Sequence, residues 1–402
     1  MSAALPDIAW HLLTGALASY RDQPRAAAAV RRELERFEEP LRIAVAGPPR
    51  AGKTTLLGEL AARRGVIFTE TPTIPVPDAD ALLYLTPHPG ESVAYELADA
   101  QVSTLARATP VDTIVVLSRA DEFGGGRVDG LGSARMIARR YQRHVALQQV
   151  CQAVVAASAR IGYAGRTLTA PEHAALTSLA GRTREETERY LLSVDRFVDP
   201  QAPVPVDPAV RAGLVERLGL PGVRLALTLL RTGSATRDEL SGQLVARSGL
   251  DDLRDAIGEL FIEWRPVLKA RSALIALDAL VRAQPHPDGA RLLAALDRAL
   301  ANGHELRELR LLAALRAGRT RLPISRTASS RSGAGSRVRP GGGGAADRRH
   351  RPGPGRPAGR GADRRAGMGG GRRRRRPLAG ARRGPPAPPG PPPRGRRRGA
   401  QL

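Results

Sequence analysis

Residues 41–55, Leu-Arg-Ile-Ala-Val-Ala-Gly-Pro-Pro-Arg-Ala-Gly-Lys-Thr-Thr, constrain the fold more than any other stretch of the chain. Residues 41–46 read as a short buried strand and 53–64 as a helix. Between them Gly47, Gly52, Lys53 and Thr54 fit the pattern G-x-x-x-x-G-K-[ST] without a mismatch. Each position has a physical task. The glycines let backbone N–H groups curl around a phosphate. Lys53 reaches the β- and γ-phosphates, and Thr54 offers a hydroxyl to Mg²⁺. The helix turns its positive N-terminus toward the anion. A strand before the loop and a helix after it is the context that separates this motif from an ordinary glycine turn.

The remaining apolar runs are set out around this unit. Strands are expected at 66–70, 79–85, 111–117 and 150–157, with helical spacing at 6–20, 23–38, 90–107 and 130–145. Continuous apolar strands alternating with helices predict an α/β domain with a parallel sheet covered on both faces. Ligands then sit at the carboxyl ends of the strands. From residue 170 to about 317 only helical spacing recurs, in segments that include 207–218, 223–231 and 250–282, which predicts an all-α bundle. The domain reading is N-terminal helices at 1–38, a nucleotide domain at 39–168, a helical neck or stalk at 169–318 and a tail at 319–402.

Charge divides the chain sharply. Residues 321–402 hold 23 Arg, no Lys and 2 Asp, whereas the first 320 residues carry a net charge of only +3. The tail contains no Phe, Tyr or Trp, so it cannot bury a core and is expected to be disordered. Three readings of it compete. It is compatible with an anionic membrane surface. Nucleic acid is disfavoured, because no aromatic side chain offers base stacking. An out-of-frame read of a GC-rich gene would give the same mixture, in line with two Lys against 61 Arg. The one cysteine, Cys151, excludes a disulfide framework, and no run of about 18 apolar residues occurs. No charged n-region with an apolar core opens the chain. These features point to a cytoplasmic protein, at most peripheral to the inner face of the plasma membrane. The seven His have no metal-ligand spacing.

Loops of this kind serve both ATP and GTP, so the base must be read elsewhere. Ser118-Arg119-Ala120-Asp121, at the end of the fourth strand, resembles the guanine-reading element N/T-K-x-D of GTPases. An Asp there accepts hydrogen bonds from guanine N1 and the exocyclic amine, and Arg119 would lay its stem along the base. Ser158-Ala159-Arg160, after the fifth strand, resembles the Ser-Ala-Lys loop that backs the guanine. Together with Cys151-Gln152-Ala153-Val154-Val155, Leu191-Leu192-Ser193-Val194-Asp195-Arg196-Phe197 and Pro205-Val206-Asp207, these phrases resemble the actinobacterial isoniazid-inducible dynamin-like GTPases. The resemblance runs from about residue 8 to about residue 316. It implies GTP and Mg²⁺ binding by Gly47, Ala51, Gly52, Lys53, Thr54, Thr55, Ser118, Arg119, Asp121, Ser158 and Ala159. It also implies association through the G domain, with another copy or a second dynamin-like protein, and membrane remodelling by the helical neck.

The chain departs from that family between the loop helix and the third strand. Glu70 stands where the third motif has Asp, and Thr73 where it has Gly. Switch I is then largely absent; the opposite assignment keeps a shortened switch I and loses the third motif. Pro49 occupies the position of a catalytic Gln and has neither a side-chain donor nor an N–H. Arg50 matches the place where guanylate-binding proteins carry an internal arginine finger, or it is one exposed Arg among many. With Arg50 and Glu70 as candidate catalytic residues, two functions stand. One is a GTPase coupled to self-association and membrane remodelling, the other a non-hydrolysing pseudo-GTPase that regulates a fuller partner. An ATP-dependent enzyme is opposed by Asp121. The turn Leu218-Gly219-Leu220-Pro221-Gly222-Val223 reads as a packed interhelical corner or as a membrane tip.

Overall fold

The computed structural model describes residues 4–61, 65–76, 78–88, 90–100 and 111–316. The expected tail and the last part of the 90–107 helix lie outside these. Two helices, α1 (Leu5–Ser19) and α2 (Pro24–Glu35), each begin with a proline in the first turn, where a missing N–H costs no hydrogen bond. The α/β part follows as β1 (Leu41–Ala46), α3 (Lys53–Leu60), β2 (Val66–Glu70), β3 (Ala81–Thr86), α4 (Glu91–Asp99), β4 (Thr113–Leu117), α5 (Gly130–Tyr141) and β5 (Ala153–Ala156). All strand pairs are parallel and the order is β2-β1-β3-β4-β5. The order reverses at β1, and a crevice opens at its carboxyl end, where the glycine loop lies. β2 is an edge strand and largely exposed, and the sheet of described residues ends there without an antiparallel partner beyond it.

Period-two alternation assigns the two faces of the sheet. Leu41, Ile43, Val45, Leu83, Leu85, Ile114 and Val116 share one core with α1, α2, α3 and residues 250–313. Tyr84, Val115, Leu117, Val154 and Ala156 point the other way, against α4 and α5.

After β5 the described chain is helical: α6 (Ala159–Arg166), α7 (Ala170–Ala180), α8 (Arg184–Tyr190), α9 (Val194–Val198), α10 (Pro208–Arg231), α11 (Arg237–Ala246), α12 (Leu250–Ile257), α13 (Arg265–Ala283), α14 (Gly289–Asn302) and α15 (His304–Arg316). Capping boxes start α7, α8 and α11, with Thr169–Glu172, Thr183–Glu186 and Thr236–Glu239 each closing a reciprocal pair of bonds. The segments 207–218 and 223–231 meet within α10 at Gly219, whose non-helical backbone breaks the helix where the break is expected. One expectation is corrected. The segment 250–282 is broken by a π-helical turn at Gly258–Ile262. The 218–223 turn is a packed corner, with Leu218 and Val223 buried.

The helices serve two cores. Those from α6 to α11 surround Leu176, Leu179, Phe197, Leu214, Leu218, Leu229, Leu240 and Leu244. Those from α12 onward return to the sheet and to the N-terminal helices. Tyr20 Oη donates to the Gln284 carbonyl (2.8 Å), Ser19 Oγ to Asp288 (2.8 Å), and the Leu5 amide to Glu305 (2.8 Å). A buried carboxylate joins these layers. Asp80 accepts from Arg36 Nη2 (2.9 Å), the Arg42 amide (2.9 Å) and Ser272 Oγ (2.7 Å), with Lys269 Nζ at 3.6 Å. Burial pushes the Lys269 ammonium below its usual range, and the Asp80 charge pulls it partly back.

Removing one partner of a buried ion pair leaves an uncompensated charge and costs about 3–5 kcal/mol. Asp80→Asn is therefore expected to lower stability by about that amount in denaturant unfolding. Replacing Glu188, whose pairing with Arg184 is at the surface, is expected to move the midpoint little.

Candidate functional site

Backbone conformation forms the loop after β1. Gly47 has φ 139°, and a Cβ there would lie 2.1 Å from the Leu85 carbonyl oxygen, so no side chain fits where the loop leaves the sheet. Arg50 takes φ 62°, which is strained for a residue with a side chain. Gly52 (φ 89°) precedes α3, whose first residues are Lys53 and Thr54. Lys53 Nζ donates to the carbonyls of Gly47 (3.1 Å) and Pro48 (3.2 Å) and lies 3.9 Å from Glu70 Oε1. Thr54 Oγ1 donates to Glu70 Oε2 at 2.8 Å. The register explains this meeting: β2 pairs with β1, Val45 opposite Glu70, so the last residue of β2 stands beside the start of the loop.

The base-side residues converge on a cleft of about 260 Å³ at the carboxyl ends of β4 and β5. Arg50, Ala51, Gly52 and Thr55 form one wall, Ser118, Arg119 and Asp121 a second, and Ser158 and Ala159 a third. Asp121 is 5% exposed and lines this cleft. Ser118 Oγ is buried without a hydrogen-bond partner among the described residues. Burying such a group unpaired is costly, so its position beside the Asp121 carboxylate marks a place for a polar ligand edge. Arg119 also has a positive φ (53°), and its Nε donates to Glu122 at 2.9 Å. Ser158 Oγ caps α6 by accepting from the Ile161 amide (3.3 Å).

The structure thus gathers Arg50, Ala51, Gly52, Thr55, Ser118, Arg119, Asp121, Ser158 and Ala159 around one cleft. Lys53, Thr54 and Glu70 cluster beside it, around the carbonyl of Gly47. Glu122 and Arg160 also line the cleft. Sequence reasoning gave Glu122 no role; its spacing from Arg119, three residues apart, was the available signal. Arg160 was placed in the loop that resembles Ser-Ala-Lys, without a role of its own. Glu59 was missed as well: its fully buried carboxylate anchors the far end of α3 between Arg166 (2.6 Å) and Arg254 (3.5 Å).

A metal ion at Thr54 and Glu70 would meet a hydroxyl and a carboxylate, the hard oxygen donors that Mg²⁺ takes. Among the described residues no group of three or more His, Cys, Asp or Glu is placed to hold a metal by protein ligands alone. Such a site would depend on phosphate and water for its other ligands. No described helix is long and apolar enough to cross a membrane.

No family model matches the chain, and no solved structure matches it. Over 218 residues the chain is 39% identical to isoniazid-induced protein IniC from two strains of Mycobacterium tuberculosis. The match covers 54% of this chain and 44% of the relative, so the chain spans less than half the length of the curated relatives it matches.

Proposed function

We propose that this chain binds GTP with Mg²⁺ and acts as a dynamin-like GTPase that associates through its nucleotide domain, peripheral to a membrane. The observation that carries the base assignment is the carboxylate of Asp121 beside the buried, unpartnered Ser118 Oγ, in a cleft continuous with the phosphate loop. A carboxylate is an acceptor only, so it suits the N1–H and exocyclic amine of guanine and not the ring nitrogens of adenine. The chain's own groups then divide the work. Lys53 exchanges its carbonyl partners for phosphate oxygens. The N-terminus of α3 adds its dipole. Thr54 and Glu70 would hold the cation, which supplies charge neutralisation at the phosphates. Arg50, in the phosphate loop itself, offers a guanidinium to the charge that develops at the β–γ bridge.

A second reading, a non-hydrolysing subunit that regulates a fuller dynamin-like partner, has its own support. Pro49 brings no donor to the usual Gln position. Glu70, one methylene longer than Asp, holds the Thr54 hydroxyl directly. Turnover separates the two readings.

In calorimetry with GTP and ATP side by side, GTP is expected to bind more tightly, and equal affinities would sink the base assignment. Asp121→Asn should weaken GTP and improve xanthosine triphosphate. Lys53→Ala removes a charge-assisted contact and should cost tenfold or more in affinity, about 1.4 kcal/mol, with the fold retained by circular dichroism. GTP turnover per molecule is expected to rise with protein concentration or on liposomes, and Arg50→Ala to abolish that rise while sparing GTP affinity. Turnover absent under every condition would favour the regulatory subunit.

A further inference from the structure

Both base-side loops rest on the same feature of the helical part. α10 kinks at Gly219, whose φ 69°, ψ 164° lies in a region open essentially to glycine alone. The guanidinium of Arg160 lies in the notch this kink leaves: a Cβ on Gly219 would come 2.8 Å from Arg160 Nη1. Arg160 is also a wall of the base cleft. The loop that follows Asp121 reaches the same kink. A Cβ on Gly126 would lie 2.9 Å from Pro221 Cγ, and Arg224 Nη1 donates to the Gly126 carbonyl at 2.9 Å. The two loops are fastened to each other by the Ala120 amide on the Ala157 carbonyl (3.4 Å). The second is fastened behind by the Ser158 amide on the Ser248 carbonyl (2.8 Å).

We infer that the kink of α10 at Gly219–Pro221 is the seat that positions the base-reading loops, and that Arg160 couples occupancy of the cleft to the helical bundle. This rests on the guanine-nucleotide reading above. The physical argument is one of shared space. Arg160 has one guanidinium and two places for it, the notch at Gly219 and the cleft beside the base. A purine entering the cleft competes for that guanidinium, and drawing it out of the notch removes the group packed against the kink. The kink is one turn from Arg224, which also donates to the Leu191 carbonyl, so a change there is felt by the end of α8. Arg160, Gly219 and Arg224 are thus positioning residues. They act on the base and not on the phosphates, which meet the loop after β1 and the start of α3.

The test uses the full chain with two probes, GTP and inorganic triphosphate, each with Mg²⁺. Hydrogen exchange of residues 216–226 is expected to change on adding GTP and to stay unchanged with triphosphate, which fills the phosphate loop alone. Arg160→Ala and Arg224→Ala should each weaken GTP by fivefold or more and leave triphosphate affinity within twofold. Gly219→Ala should do the same, and less so in the Arg160→Ala background, because the two substitutions remove one shared contact. If Gly219→Ala fails to fold, the two arginine variants and the exchange measurement still decide. A parent that binds GTP better than triphosphate while α10 stays silent and both arginine variants bind normally overturns this inference alone. A parent that binds triphosphate and GTP equally overturns the guanine reading, and the inference with it.

Discussion

Asp80 sits at the foot of β3, fully out of solvent, and four donors from α2, β1 and α13 converge on it. Those donors come from residues 36, 42, 269 and 272, so one carboxylate joins parts of the chain more than two hundred residues apart. The sheet face formed by Ile43, Leu83 and Ile114 is apolar and would accept many helices. Hydrophobic contact is non-directional, whereas the ion network ties Asp80 to particular residues of β1 and α13. The network is a demanding one, since Arg36 and Lys269 are both buried cations; without Asp80, Lys269 loses its ion-pair partner and Arg36 keeps only Glu33.

The functional end of the molecule follows from that frame. With β1 held at its start by Asp80, its carboxyl end delivers Gly47 against Leu85 and sends the chain through the loop into α3. Glu59 anchors the other end of α3 between two arginines. The helix dipole is therefore aimed from a support fixed at both ends, while the groups meant for a ligand are left underused. Lys53 sits on backbone carbonyls, and Ser118 Oγ is buried without a partner among the described residues.

Much of this was legible in the sequence. β1 and β2 fall where their apolar runs, each bounded by a turn signal, put them, and the loop between β1 and α3 declares itself by residue type. β3, β4 and β5 begin two or three residues later than their expected runs at 79, 111 and 150, because the ladder starts after the hydrophobicity does. The break at residues 218–223 was legible from Gly219 and Pro221: the glycine's left-handed step interrupts the helix, and the chain resumes it with Pro221 in its first new turn. The site residues at strand ends could be read from order along the chain. Glu59 and Asp80 could not. Their importance comes from what tertiary packing brings to them, and a lone acid in sequence carries no mark of its eventual neighbours.

The return of α12–α15 to the sheet has a consequence for how the chain can be divided. The unit that looks detachable in sequence, residues 39–168, owns one of the two coverings its sheet requires and, in α3, only part of the other; the rest is supplied jointly by residues from α1 and α2 and from beyond residue 250. Excised by itself, that unit would present Leu41, Ile43, Leu83 and Ile114 to water, together with a buried acid stripped of its cations. Its boundaries in sequence are not boundaries in space. The natural seam runs elsewhere, around the separate core of α6 to α11, whose apolar interior is drawn from one continuous stretch of chain.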